Sequence, residues 1–379
     1  MLNPSPKKRR EMTTSFKKML AARLAAGPHA KNVHSGIAAM LVMLLMMATS
    51  CHKWDHPDCS DCDCLSKDYK QTNLVSDTAG FGAGRIDPNL VNAWGIAVSS
   101  NGAFWISANG SGESVIYDKD GNSLRGPVFI PSPSGHGAGA PSGVVFNSSS
   151  SFDGNRFIFA TEDGTIVAWK SGDSAVIKAD RSAFNAVYKG ITIASDSGKL
   201  YIYATNFHNG TVDVFDTAFH YISYKQFRDP NIPNDFAPFN IRNIDGSIFV
   251  TYAKQKLPDK HDDQAGPGNG YINIFRPNGS LVRRFASQGT LNSPWGITEG
   301  CSGGIGDDVI LVGNFGDGHI NAYKENGTFL GQLKKGNAPL KIDGLWAIES
   351  HITGNGNKIF FTAGPLEETH GLFGYILKN

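Results

Sequence analysis

Trp295-Gly296-Ile297, Val309-Ile310-Leu311-Val312, His319-Ile320-Asn321-Ala322-Tyr323 and, past the turn Asn326-Gly327, Phe329-Leu330 make one complete unit of the pattern that decides the fold. The unit opens on an aromatic or apolar residue, a small residue and Ile or Val. Three further short runs follow, rich in β-branched and aromatic residues, as half-buried strands are. The opening recurs as Trp94-Gly95-Ile96, Ser142-Gly143-Val144, Lys189-Gly190-Ile191, Phe239-Asn240-Ile241 and Trp346-Ala347-Ile348, with central positions 48, 47, 50, 56 and 51 residues apart. Asp120-Gly121 and Asn278-Gly279 repeat the turn before the last run. Such Asx-Gly pairs supply the positive backbone angles of a tight hairpin.

Units of about 50 residues with four strands and no helical period predict a β-propeller. Six units predict an all-β fold of six four-stranded blades. The sixth unit is one strand short at its end. An orphan strand, Tyr69-Lys70-Gln71-Thr72-Asn73-Leu74-Val75, precedes the first unit. It is expected to complete the last blade and close the ring without an open edge. Residues 69–379 are thus assigned to the propeller.

The composition agrees. Charged residues make up 18% of the 379, with 44 glycines and 23 phenylalanines, which excludes a disordered chain, a coiled coil and a helical bundle. The formal charge of +1 conceals an asymmetry: residues 1–50 hold eight Lys/Arg and one acid, leaving −6 for the remainder. A body of that charge has no bulk attraction for phosphate, so no nucleic-acid partner is expected.

Residues 1–50 read as a targeting signal. Lys7-Lys8-Arg9-Arg10, Lys17-Lys18 and Arg23 precede an 11-residue apolar run, 37–47, and Ala48-Thr49-Ser50-Cys51. The run is well short of the roughly 20 residues that cross a bilayer, and basic region, apolar core and small residues are the anatomy of a secretory signal. Small residues before a cysteine resemble a bacterial lipobox with Cys51 as the lipidated residue, although Ala48 stands where Leu or Val is usual. Residues 51–68 read as a tether. Its Cys59, Cys62 and Cys64, with His52 and His56, leave incidental or oxidised thiols and a zinc site both open.

In four-stranded blades the loops joining second to third strands share a face with those leading into each first strand. Candidate ligand-binding residues there are Asn92, Trp94, Asn206, His208, Lys254, Trp295, Asn314, Asp343 and Trp346. The three tryptophans equally fit packing between blades. A metal set drawn from His208, His261, Asp262, Asp263, Glu367 and His370 is chemically reasonable for one divalent ion, calcium or zinc. Residues 254–270 form the longest loop of this face, and long loops are often functional. No G-x-S-x-G, HExxH or phosphate loop is present.

Asp87-Pro88-Asn89-Leu90-Val91-Asn92-Ala93-Trp94-Gly95, Ala160-Thr161-Glu162-Asp163-Gly164-Thr165, Leu291-Asn292-Ser293-Pro294-Trp295-Gly296 and Gly313-Asn314-Phe315-Gly316-Asp317-Gly318 resemble a bacterial family of exported six-bladed propellers with no established activity. More distantly the architecture resembles NHL-type and TolB-like propellers and the six-bladed lactonases. The latter use Glu, Asn and Asp around calcium, ligands that do not align here residue by residue. The resemblance implies an exported propeller, often on a surface-anchored chain. With the Cys51 motif, a lipoprotein anchored in the outer membrane of a bacterial cell envelope is expected, facing the periplasm or the outside. A closed ring with no edge to pair is expected to be monomeric. Two functions follow: a propeller that binds a glycan, peptide or protein on the loop face without a cofactor, or a hydrolase or lyase, lactonase-like, with a divalent metal at the same channel mouth.

Overall fold

The computed structural model describes residues 65, 68–300, 309–350, 352 and 357–379. The signal segment, Cys51, Cys59, Cys62, Cys64 and Cys301 lie outside the described residues. Six sheets form the blades, antiparallel except where Arg85–Ile86 adds parallel to Tyr69–Ser76, and each blade's first strand is innermost. These inner strands are Ala93–Val98, Pro141–Phe146, Tyr188–Asp196, Phe236–Ile244, Pro294–Glu299 and Leu345–Glu349, numbered here as blades one to six. Each packs against the next, and the sixth against the first, so the ring is closed.

The closure works as the orphan strand predicts. Tyr69–Ser76 pairs antiparallel with Leu372–Lys378, from Tyr69 opposite Lys378 to Ser76 opposite Leu372. The two ends of the propeller thereby share one sheet, and the Asn379 backbone N–H donates to the Asp68 carbonyl. Blade one departs slightly from the sequence reading. Ser123 makes only an isolated bridge to Tyr117, and the outermost strand is Val128–Phe129. The Asp120-Gly121 turn, with Gly121 at φ 82°, is therefore followed by a short excursion.

Glycine at the second position of the repeat has a packing cause. A Cβ on Gly95 would lie 2.7 Å from the Ser142 carbonyl oxygen, and one on Gly296 would lie 2.8 Å from that of Trp346. Neighbouring inner strands approach through these positions, closer than any side chain permits. Farther out, apolar side chains fill the wedges between blades. Trp105 of blade one stacks on Phe157 of blade two at 3.9 Å, and Phe104 of blade one meets Phe360 of blade six at 4.6 Å. Burying such rings contributes roughly 1.5–3 kcal/mol each, and they fill the propeller, whose described residues are almost entirely strand and loop.

Candidate functional site

Every inner strand has a register irregularity near its start, between Ala93 and Ile96, Pro141 and Val144, Tyr188 and Gly190, Pro238 and Asn240, Pro294 and Gly296, and Leu345 and Ile348. A bulge re-aims a side chain. Here it marks the opening residue of each repeat: Trp94, Ser142, Lys189, Phe239, Trp295 and Trp346.

The aromatic members of this set pack on one another. Trp94 stacks on Trp346 with centroids 3.6 Å apart, Trp295 meets Trp346 edge-on at 5.6 Å, and Phe239 approaches Trp346 at 5.9 Å. Phe315 stacks on Trp346 at 3.9 Å. Trp94, Trp295 and Trp346 are 2%, 4% and 1% exposed, so they form a plug and present no face on which a ligand ring can stack.

Lys189 occupies the same repeat position and is its one charged member. Its side chain is 3% exposed, and its ammonium lies over the Trp94 ring at 5.1 Å. It is ion-paired to Glu162, on the loop between the second and third strands of blade two. The Glu162 Oε2 accepts from Asn109 Nδ2 at 2.8 Å. Asn92 Nδ2 donates to Asn109 Oδ1 at 3.3 Å and to Glu368 Oε2 at 2.7 Å, while Trp346 Nε1 donates to Asn92 Oδ1 at 3.3 Å. Blades one, two, three and six thus contribute to one polar network above the plug.

Blade four supplies the rest through its long loop. Gln255 Nε2 ties the loop base to the Phe207 and His208 carbonyls. At the far side, the His261 Nδ1 and Asp262 Oδ1 atoms are 2.9 Å apart, Asp262 Oδ1 is 3.9 Å from the Lys189 ammonium, and His261 Nδ1 is 4.0 Å from Glu162 Oε1. Glu162, His261 and Asp262 offer three ligand atoms within 4.8 Å of one another. Asp263 Oδ2 is buried without a hydrogen-bond partner.

The titratable groups diverge. Burial pushes the Asp263 carboxyl up, and burial does the same to Glu368, with Asn92 opposing and Glu162 adding. Asp262 is held down, first by its bond to His261, which is itself raised by that bond. The site therefore combines one carboxyl held down, Asp262, with two pushed up, Asp263 and Glu368, and divergent shifts of this kind are found at acid–base and hydrogen-bonding sites.

Glu368, rather than Glu367, enters the network because of backbone conformation. Leu366, Glu367 and Glu368 have φ of 54°, 55° and 64°. Three successive left-handed non-glycine residues cost roughly 1–2 kcal/mol each and are kept where surrounding structure imposes them. Asp343 Oδ2 accepts from the Leu366 N–H at 3.0 Å, and the Glu368 N–H donates to the Gly364 carbonyl. Glu367 is left exposed.

The other candidates stand apart. Asn206 is buried and donates to Asp213 Oδ2 at 3.1 Å. Asn314, also buried, donates to the Thr290 carbonyl and to Asp317. Lys254 lies 3.7 Å from Asp235. His208 lies 3.1 Å from Asn209 Oδ1, and His370 pairs with Asp77 at 2.7 Å. Of the proposed metal set, His261 and Asp262 come together, joined by Glu162. Among the described residues His208, Asp263, Glu367 and His370 enter no group of three metal-ligating side chains. Lys189, Glu162 and Glu368 are the network residues that the sequence-derived candidate set does not include. Lys189 had a visible signal: a lysine at a repeat position held mostly by aromatics.

Fold and network together define a six-bladed β-propeller with a polar site at the loop-face mouth of its axis. Uncharacterized protein L690 of Acanthamoeba polyphaga mimivirus is 32% identical over 330 residues, covering 82% of this chain and 86% of its own. Uncharacterized protein R648 of the same virus is 32% identical over 331 residues, covering 82% and 80%. The chain belongs to the family of these viral proteins. That kinship speaks neither to export nor to lipid attachment, and no family model matches the chain.

Among solved structures, a protein of unknown function from Bacteroides thetaiotaomicron aligns with TM-score 0.54 and 12% identity over 82% of this chain and 77% of its own. An α-L-arabinofuranosidase of Fusarium graminearum aligns with TM-score 0.54 and 9% identity over 81% and 97%. A streptogramin B lyase aligns with 0.50 and 13% over 82% and 97%. At these identities the likeness is one of fold.

Proposed function

We propose that the loop-face mouth binds a neutral, polyhydroxylated ligand, a glycan or a fragment of one. The observation that carries this reading is the buried Lys189–Glu162 pair with its amide neighbours Asn92 and Asn109. Its charges are compensated within the protein, so a charged ligand would leave one of them unpaired at a cost of several kcal/mol. The Asp263 and Glu368 carboxyls, both pushed up by burial, stand beside further carboxylate and amide groups, a mixture of polar partners suited to sugar hydroxyls. A glycan array followed by calorimetry on the full chain tests this. Saturable binding weakened about tenfold by Glu368→Gln, the loss of roughly one hydrogen bond to a charged or polar partner, is expected. An array without hits would sink the reading.

A second reading rests on the Glu162–His261–Asp262 group, whose ligand atoms could hold a divalent ion for hydrolase or lyase chemistry. The Lys189 ammonium already lies among those oxygens, so an ion would have to displace it. Elemental analysis of protein purified without chelator discriminates: a stoichiometric ion lost in His261→Ala favours the metal, and metal-free folded protein favours the glycan.

We also propose, from the basic region, the short apolar run and Cys51, that the chain is exported and lipid-anchored. Fatty-acid labelling that survives Cys51→Ser would refute it.

A further inference from the structure

Blades one and two, which consist of described residues throughout, leave a cavity of about 430 Å³ between them. That volume lies within the roughly 300–1,000 Å³ of small-molecule sites. The cavity lies beside the starts of both second strands, Phe104–Ala108 and Phe157–Thr161. Asn109 and Glu162 follow the other ends of those strands, so the cavity is on the face opposite the polar network.

Four rings form its wall. Trp105 stacks on Phe157 and lies 4.5 Å from Trp169, and Phe146 lies 5.2 Å from Phe157. Trp105 and Phe157 are buried, whereas Phe146 and Trp169 are only half-buried, which leaves ring surface lining the cavity.

The charged groups of the lining are two arginines, with no carboxylate among them. Each guanidinium rests on a ring of the wall, Arg125 over Trp169 at 5.2 Å and Arg156 over Phe146 at 5.1 Å. Arg125 is engaged: it pairs with Asp173 at 2.7 Å and donates to the Gly172 carbonyl at 2.9 Å. Arg156 has no such partner. Among the described residues no acid lies within ion-pair reach of it, and its side chain donates no hydrogen bond. A guanidinium held on an aromatic face is weakly hydrated and keeps its planar donor fork available, and that fork matches a carboxylate.

We infer that this crevice is a second binding site, for an aromatic carboxylate. The ligand ring lies against the half-buried Phe146 and Trp169, where planar apolar surface meets its like, and the carboxylate accepts from Arg156. A neutral aromatic would leave the Arg156 fork to water, and an aromatic ammonium would meet two guanidiniums. The inference is independent of the loop-face reading, since the two sites share no residue.

Calorimetric titration of the full chain with sodium 2-naphthoate, 2-naphthylmethanol and 2-naphthylmethylammonium chloride tests it. Saturable binding of naphthoate at one equivalent is expected, with the alcohol weaker and the ammonium not binding. Arg156→Gln alters an exposed side chain and should weaken naphthoate about tenfold, the loss of one charge-assisted hydrogen bond, without weakening the alcohol. Leu124→Asp carries the test separately: it sets a carboxylate on the cavity wall at a residue 52% exposed, and should weaken naphthoate while the protein still melts cooperatively. Absence of saturable naphthoate binding, equal binding of the alcohol or the ammonium, or unchanged naphthoate affinity in either folded variant would each overturn the assignment.

Discussion

The same six strands end in opposite chemistry at the two mouths of the axis. Where they begin, bulges turn one residue per blade inward, and the long loops bring Glu162, Asp262, Asp263 and Glu368 around Lys189. Where they end, strand alternation continues undisturbed, and Val98, Val144 and Ile193 line an open cavity. The loop-face mouth is filled by its own polar groups; the far mouth is a concavity. Irregular backbone concentrates polar side chains at a point, whereas regular strands spread aliphatic ones over a surface.

The plug keeps the two mouths distinct, so its removal is the largest test of the contrast. Trp346→Ala, which deletes a ring stacked between Trp94 and Phe315, should cost roughly 3–5 kcal/mol, read as a lower urea midpoint with unchanged slope. A loss under 1 kcal/mol would mean that the rings are loosely packed and the mouths communicate.

Lys189→Met comes next. Breaking a buried pair leaves Glu162 uncompensated, at a cost near 3 kcal/mol. Adding Glu162→Gln should recover most of it, and a divalent cation should raise the melting temperature of the single variant more than that of the parent. If neither happens, the lysine does not organise the loop-face site.

Smaller effects sharpen the electrostatics. Folding raises the Asp263 carboxyl by burial, so the stability that Asp263 contributes is complete below the ordinary carboxylate range and is lost as pH rises through its elevated value. Asp263→Asn removes that penalty. Melting temperatures should match the parent near pH 3 and exceed it near pH 8; a constant difference across that range would refute the burial argument. Smallest of all, Asp343→Ala removes the acceptor of the Leu366 N–H, worth about 1 kcal/mol, and frees the turn that aims Glu368. Thermal melts should show the modest loss, and ligand affinity should fall by a larger factor than stability implies.

The fold was legible because each unit states it redundantly: an opening triplet, alternating strands and, in three units, an Asx-Gly turn before the last run. Closure was legible from one missing strand and one orphan. The site was legible only in part. His261, Asp262 and Asp263 were found because their loop is unusually long. His208 and His370 share that face by topology, yet bonds to Asn209 and Asp77 place them outside the ligand group. Which of Glu367 and Glu368 points inward depends on three left-handed residues, and non-glycine residues give no local sign of that conformation. The tryptophans allowed two readings, stacking on a ligand or packing between blades. Burial decided for packing.

Sequence alone determined what is local and periodic: the strands, the turns, six blades and the strand that closes the ring. Hydrophobic alternation and turn chemistry act within a few residues and repeat in every unit. Only the tertiary structure decided that a lysine in the third blade meets a glutamate from the second and an aspartate from the fourth. Such meetings depend on where the closed ring brings strand starts and loops together at its axis, and sequence separation carries no trace of radial distance.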